Sequence, residues 1–326
     1  MTRVAFVTGA SGFLGVHLVS HLCQQGWKVY AMHRPGSRLD YIRSMPVRLI
    51  EGTLSDREGL NLIFPRSVDG VFHTAANVSL WSGHAHQQFD TNVIGTMNLI
   101  EAAQRASAKR FIYTSTICVW GFQTVPFDET FPKIGATSWI NYFRTKAQAE
   151  EAVLSSMKDG LDAVIVNPSN IIGQYDMKNW SRLFSFVQQG KLPGIPPGVG
   201  SFCDAVEVAR AHIAAYEHGR IGENYILAGT EASFLELVQS VACLLGKRKP
   251  TRASPSIILK AAGRVNEWIS LLTEREPSLT PEMAAIFSAR MIARSDKATR
   301  ELGYHPVALN EMLRRCYDWL VAEGKL

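Results

Sequence analysis

The segment Thr8-Gly9-Ala10-Ser11-Gly12-Phe13-Leu14-Gly15 follows an apolar, β-branched run from Val4 to Thr8 and leads into apolar residues at helical spacing. Few short stretches restrict a fold more. A strand that turns on glycines directly into a helix opens a βαβ unit, which commits the chain to a parallel sheet with right-handed crossovers. Gly9 permits the tight turn, Gly12 lets backbone approach a diphosphate, and Gly15 lets the helix pack closely on the strand. The diphosphate of a dinucleotide would rest on unpaired N–H groups at the helix N-terminus.

The pattern continues as this opening requires. Strands are expected at Val4 to Thr8, Lys28 to His33, Val47 to Glu51, Gly70 to Thr74, Arg110 to Thr114 and Asp162 to Asn167, with helices at about 13–25, 56–65, 89–107 and 140–158. Alternation of this kind indicates an α/β, doubly wound, mostly parallel sheet of the Rossmann type. After Pro168 the texture changes, through the Pro/Gly-rich run Lys191 to Phe202, to a smaller, mainly helical C-terminal lobe. The expected division is a dinucleotide-binding domain over 1–175 with a strand at 222–229 added to its sheet, and a substrate lobe over 176–221 and 230–326. Within the lobe, apolar residues at helical spacing predict helices from Ser256 to Thr273 and from Pro281 to Arg294, as core packing or as a lid.

Composition narrows the partners. The 326 residues are 46% apolar and 19% charged, suited to a globular chain with a sizeable core. Five cysteines, odd in number and scattered without a C-x-x-C pair, argue against a disulfide framework or a metal site and suit a reducing cytoplasm. Neither a signal-peptide pattern nor a membrane-spanning apolar run is visible. The net charge of +5 is dispersed, with one compact cluster at Lys247, Arg248 and Lys249, so nucleic acid is not expected as a partner.

Two local features carry chemistry. At the end of the second strand, where a carboxylate would bond the ribose hydroxyl of NAD, the chain has His33-Arg34 and no acid before Asp40. An arginine fork suits a 2′-phosphate, so NADP is expected over NAD. Tyr142 stands four residues before Lys146 in INYFRTKAQAE, one helical turn apart on a single face. Taken alone, that pair reads as a half-exposed phenol beside a solvated ammonium.

With the glycine turn, NVIGTMNLIEAA (92–103), RFIYTSTICVWG (110–121), the Tyr142/Lys146 pair and NPSNIIGQYD (167–176), the chain resembles the extended short-chain dehydrogenase/reductases, most nearly their dihydroflavonol-reductase-like branch. The resemblance runs from residue 3 to about 320 and includes SDKATRELGYHP (295–306). It implies that Thr116, Tyr142 and Lys146 are catalytic, with threonine in place of the more usual serine. It further implies cofactor contacts from Gly9, Ser11, Gly12, Phe13, Leu14 and Gly15, from Arg34, from Thr74, Ala75 and Ala76, and from Thr114, Pro168 and Ser169. Thr53 and Leu54 are implied as cofactor contacts too, at the place where an aspartate-leucine pair is usual, so the adenine contact made by that aspartate is absent from this chain. A homodimer through the helices at 89–107 and 140–158 is also implied.

Carbonyl reduction leaves charge on oxygen, so a donor must deliver a proton as the hydride arrives. Tyr142 is assigned that role, Lys146 lowers its pKa and binds ribose, and Thr116 bonds the carbonyl oxygen. The first expectation is an NADP(H)-dependent reductase of a ketone or aldehyde. The alternatives are a nucleotide-sugar epimerase or dehydratase using the same triad, and a sensor that binds NADP without catalysis. Sugar-nucleotide members tend to carry an Arg-Asp pair where this chain has Gly200-Ser201, which disfavours the first alternative. The intact triad disfavours the second. Ser79, Trp81, Trp120, Trp180 and Phe184, with Thr116, follow the C-terminal ends of strands and are expected to line a pocket for a bulky apolar or aromatic small-molecule carbonyl. His73, His212, Asn92, Asp128 and Glu129 read as structural, the last two as a solvated turn.

Overall fold

Strands apolar on both faces must be buried between two layers of helix. The computed structural model, which describes residues 2–192, 194–273 and 275–326, arranges them so. β1 (Val4–Thr8), β2 (Lys28–His33), β3 (Val47–Glu51), β4 (Gly70–His73), β5 (Arg110–Thr114) and β6 (Ala163–Pro168) join a later strand, β9 (Asn224–Leu227), in one parallel sheet ordered β3-β2-β1-β4-β5-β6-β9. The chain winds outward from β1 in both directions. The order reverses between β1 and β4, and the crevice at their C-terminal ends is where such sheets bind ligands.

α1 (Phe13–Gln24) and α7 (Ala205–His218) cover one face, burying Val7, Leu18, Ile112, Val164 and Ile213. α2 (Arg57–Ile63), α4 (Gly95–Arg105) and α5 (Asn141–Ser156) cover the other, over Phe6, Val71, Phe111 and Ile165. α3 (Ala85–Phe89) runs into α4 through one π-helical turn, Asp90–Ile94.

The lobe has its own small sheet. β7 (Asn170–Ile172) and β8 (Val199–Asp204) pair in parallel, β10 (Thr230–Ser233) pairs antiparallel with β8, and β11 (Arg290–Met291) adds in parallel. α6 (Ser181–Gln189), α8 (Phe234–Leu244) and α12 (Leu309–Ala322) pack around it through Phe184, Phe202, Leu237 and Leu313. α9 (Ser256–Thr273) crosses α10 (Pro281–Ser288) so closely that a Cβ on Gly263 would lie 2.9 Å from the Thr280 carbonyl. α11 (Asp296–Leu302) returns to the first core, where Ala298 and Leu302 are buried beside α7.

Three expectations need correction. The helix expected over 281–294 stops at Ser288, because Arg290 and Met291 pair with Val199 and Gly200. The segment 176–221 is not wholly lobe: α7, within it, belongs to the sheet layer. Glu129 is not in a solvated turn, since its carboxylate accepts the Ile226 N–H at 2.7 Å, satisfying the outer edge of β9.

Candidate active site

The glycine turn does what its spacing requires. Gly9 has φ +68°, and a Cβ there would sit 2.8 Å from the Ala75 nitrogen; one on Gly15 would come within 2.0 Å of the Gly9 carbonyl. No side chain caps α1 at Gly12, so its first-turn amides face the crevice without an intrahelical partner. An anion fits such a cradle. The 74–76 segment closes its far side: the Thr74 hydroxyl donates to the Thr8 carbonyl at 2.8 Å, and the Ala75 N–H to Thr8 Oγ1 at 3.4 Å. Beneath them His73 bridges two hydroxyls, at 2.7 Å to Thr8 and 2.9 Å to Thr96, and burial lowers its pKa to about 3. The Thr96 hydroxyl donates to the Asn92 carbonyl, so it accepts from His73 Nε2–H, which leaves Nδ1 to accept from Thr8.

Arg34 is exposed just beyond β2 and has no carboxylate partner among the described residues, whereas nearby Arg38 pairs with Asp40 at 3.3 Å. Its fork is free for an anion. Thr53 Oγ1 lies 3.4 Å from Ser55 Oγ, and the Leu54 carbonyl accepts from Asn98 at 2.8 Å. Pro168 ends β6, and the Ser169 N–H donates to the Leu227 carbonyl at 3.1 Å. These residues form the rim expected for a dinucleotide, and the donor set fits one.

Thr116, Tyr142 and Lys146 converge at the C-terminal end of β5. Thr116 is extended and its hydroxyl accepts the Cys118 N–H at 3.3 Å, fixing the short turn Ile117–Trp120. Tyr142 and Lys146 share one face of α5. Burial drives the Tyr142 pKa well above the usual phenol value, with the bonded Thr116 hydroxyl opposing the rise. Burial lowers Lys146 to about 7, against the pull of Glu150 and Cys118. Its Nζ donates to the Thr114 carbonyl at 2.7 Å and lies 4.4 Å from the Tyr113 ring centre. The Thr114 hydroxyl points away, to His212 at 2.8 Å, so Thr114 serves the site through its carbonyl. A half-buried phenol held protonated beside a lysine that titrates near neutrality can give up one proton at a fixed point.

Sequence reasoning missed the polar network behind this pair. One turn beyond Lys146, the Glu150 carboxylate accepts from Lys133 at 2.5 Å, from Asn224 at 2.9 Å and from Asn167 at 3.1 Å. Asn167 also donates to the Thr116 carbonyl at 3.3 Å. The signal was there as a third residue in the same four-residue step, 142, 146, 150. Asn92, read as structural, is so: from the π turn it bonds both backbone groups of Asn77, at 2.7 and 3.0 Å, and the Thr145 hydroxyl at 3.3 Å.

The expected substrate residues divide. Trp120 is fully buried, its indole N–H given to the Phe131 carbonyl at 3.1 Å. Phe184 is fully buried in the lobe core, and Trp180 packs there on Phe202, Phe234 and Phe287. These three are packing residues, a correction whose cause is that apolar loop aromatics bury as readily in a core as in a pocket. Ser79 and Trp81 do stand on the loop after β4, but they meet the lobe. Ser79 Oγ lies 3.4 Å from Glu276 and 3.1 Å from His84, and the Trp81 indole donates to Ser270 at 3.3 Å. α9 is thus tied down beside the crevice. Hollows of about 600 Å³ occur elsewhere, around Arg3, Lys109 and Asp162 and around Tyr30 and Leu62, and neither reaches the triad.

Known proteins resemble this chain over almost its whole length. A protein of Synechocystis sp. named for dihydroflavonol 4-reductase is 29% identical, over 99% of this chain and 96% of its own. A 2-alkyl-3-oxoalkanoate reductase of Stenotrophomonas maltophilia is 31% identical, over 95% and 97%. The solved structure of gox2253 superposes with a TM-score of 0.86 at 31% identity and covers the whole of both chains. Residues 5–228 match the family model described as the NAD dependent epimerase/dehydratase family. With its glycine turn, doubly wound sheet and helical lobe, this chain belongs to the NAD dependent epimerase/dehydratase family.

Proposed function

We propose that the protein is an NADP(H)-dependent reductase of a ketone or aldehyde on a bulky, apolar or aromatic small molecule, with Tyr142 as general acid. The convergence of Thr116, Tyr142 and Lys146 at the end of β5, beside the glycine turn, carries this reading. Reduced nicotinamide, when bound, supplies the hydride. Thr116 and Tyr142 donate hydrogen bonds to the carbonyl oxygen, and burial keeps the phenol protonated until charge develops there. Lys146, half-charged near pH 7, stabilises the phenolate left behind. Arg34, with no carboxylate partner among the described residues, favours the 2′-phosphate of NADP.

Two observations favour reduction over sugar-nucleotide chemistry. β8, Val-Gly-Ser-Phe-Cys-Asp, carries no cation to hold a substrate diphosphate, and its Ser201 hydroxyl is buried against Ala293. Relatives that span the chain are named reductases. The apolar Phe89, Ile94 and Met97, exposed along α3 and α4, support the homodimer.

The test is NADPH oxidation over a panel of aromatic and aliphatic ketones and aldehydes. Tyr142→Phe is expected to lower kcat by about 10²-fold or more; unchanged turnover would sink the mechanism. Arg34→Ala should raise KM for NADPH far more than for NADH, and equal losses would contradict the cofactor preference. Conversion of a nucleotide sugar without net cofactor change would replace this reading by epimerisation.

A further inference from the structure

The lobe turns an apolar helical face outward. On α9, Ile257, Ile258, Val265, Trp268, Ile269 and Leu272 are all exposed, with Trp268 at 76% and Leu272 at 88%. At 3.6 residues per turn these six side chains fall within an arc of about 120°. The opposite side of the helix is the one that packs, through Leu259, Gly263 and Ser270. Large apolar side chains gathered on one exposed face mark an interaction site rather than ordinary surface.

Charge selects the occupant. Lys260 and Arg264 border one edge of the arc, and Lys247, Arg248, Lys249 and Arg252 lie in the loop leading into α9. All six are exposed, and none ion-pairs among the described residues. Among the described residues nearby, two carboxylates are engaged with the loop after β4, Glu267 accepting from Ser82 at 2.8 Å and Glu276 from Ser79 at 3.4 Å. A second copy docked symmetrically on this face would bring the six cations of one chain towards those of the other. An anionic lipid surface offers the complementary charge and an apolar layer for Trp268 and Leu272. No described helix is long and apolar enough to cross a membrane. α9 would therefore lie in the plane of the interface.

We propose that α9 is a membrane-surface helix that docks the protein on anionic bilayers, with Trp268 and Leu272 inserted and the Lys247–Arg264 cations on lipid phosphates. Because α9 is bonded to the loop after β4 through Ser270 and Glu267, docking sets the crevice beside the lipid. Neither the docking nor its test depends on the proposed reaction.

The experiment floats the full chain with vesicles of phosphatidylcholine mixed with phosphatidylglycerol, and with phosphatidylcholine alone, at low salt. Flotation is expected with the anionic vesicles and much less with the neutral ones. Trp268→Ser with Leu272→Ser, and Lys260→Glu with Arg264→Glu, should each weaken binding about tenfold or more. Far-UV circular dichroism should be unchanged for both pairs, and if one pair does not fold the other carries the test. Wild-type protein that stays unbound, binds both vesicles equally, or floats as well in either double variant would overturn the proposal. So would a drop in oligomeric state on Trp268→Ser with Leu272→Ser, which would assign the face to a second copy.

Discussion

Gly12 and Gly15 look interchangeable in the sequence, yet they perform different tasks. The backbone at Gly12 is extended, φ −82° and ψ 172°, and a Cβ there would stand 3.1 Å from the Gly9 carbonyl. A shift of a few tenths of an ångström accommodates it, so Gly12→Ala should cost about 1 kcal/mol or less while crowding the diphosphate cradle. At Gly15 the same Cβ meets backbone at 2.0 Å, and Gly15→Ala is expected to cost about 3 kcal/mol or more as overpacking. Urea unfolding with dinucleotide titration separates the two; equal destabilisation would show that the cradle is looser than its geometry. At this scale the sequence was legible wherever backbone chemistry decides, as at Gly9, Gly12 and Gly15. It was illegible at Trp120 and Phe184, because an aromatic ring after a strand carries no mark of which side of the loop will be solvent.

α5 shows how an element carries a site. Its repeat of four places Tyr142 at the crevice, Lys146 beneath it and Glu150 beneath that, each one turn deeper. Glu150 faces Lys133, Asn167 and Asn224, so one carboxylate ties the helix to β6, β9 and the loop before α5. Glu150→Gln removes the charge that raises the Lys146 pKa. Lys146 should then deprotonate at lower pH, and the alkaline limb of kcat/KM should move down. Stability should fall by roughly 2 kcal/mol as the hydrogen-bonded partners lose a charge. An unmoved pH profile with reduced stability would confine Glu150 to packing. The strands were readable because each is an apolar run framed by turns. Arg290 and Met291 were not, since helix-forming residues run through 281–294 and only pairing with β8 pulls those two into a sheet.

Across the whole molecule, two neutral histidines join sheet to helix. His73 links β1 and β4 to α4, and His212 links α7 to the Thr114 hydroxyl, its other nitrogen facing the Val208 carbonyl at 2.7 Å. Burial lowers their pKa values to about 3 and about 4. As pH falls below the ordinary value near 6.5, the unfolded chain takes up these protons and the folded chain does not. Stability should therefore drop by roughly 3 kcal/mol for each group between pH 6.5 and 4. His73→Gln should flatten that fall in urea midpoints, and parallel curves for both proteins would refute the assignment. The doubly wound order was readable from alternation alone. The late strand at 222–229 was also readable and joins the sheet as β9, but the return of α7 and α11 to the first core was not, because it depends on contacts between residues far apart in the chain.

The position of β9 has a consequence for how the protein is made. β6 is complete at Pro168, but the strand that covers its outer edge arrives only with Asn224–Leu227, after β7, α6, β8 and α7 have been synthesised. At about 5–20 residues per second a ribosome takes several seconds over that interval. During it the nascent sheet presents the open backbone of Ala163–Pro168, an apolar edge of the kind that pairs with other chains. Aggregation during synthesis should thus depend on the lobe's translation speed, and slow codons between 175 and 227 would lengthen the exposure.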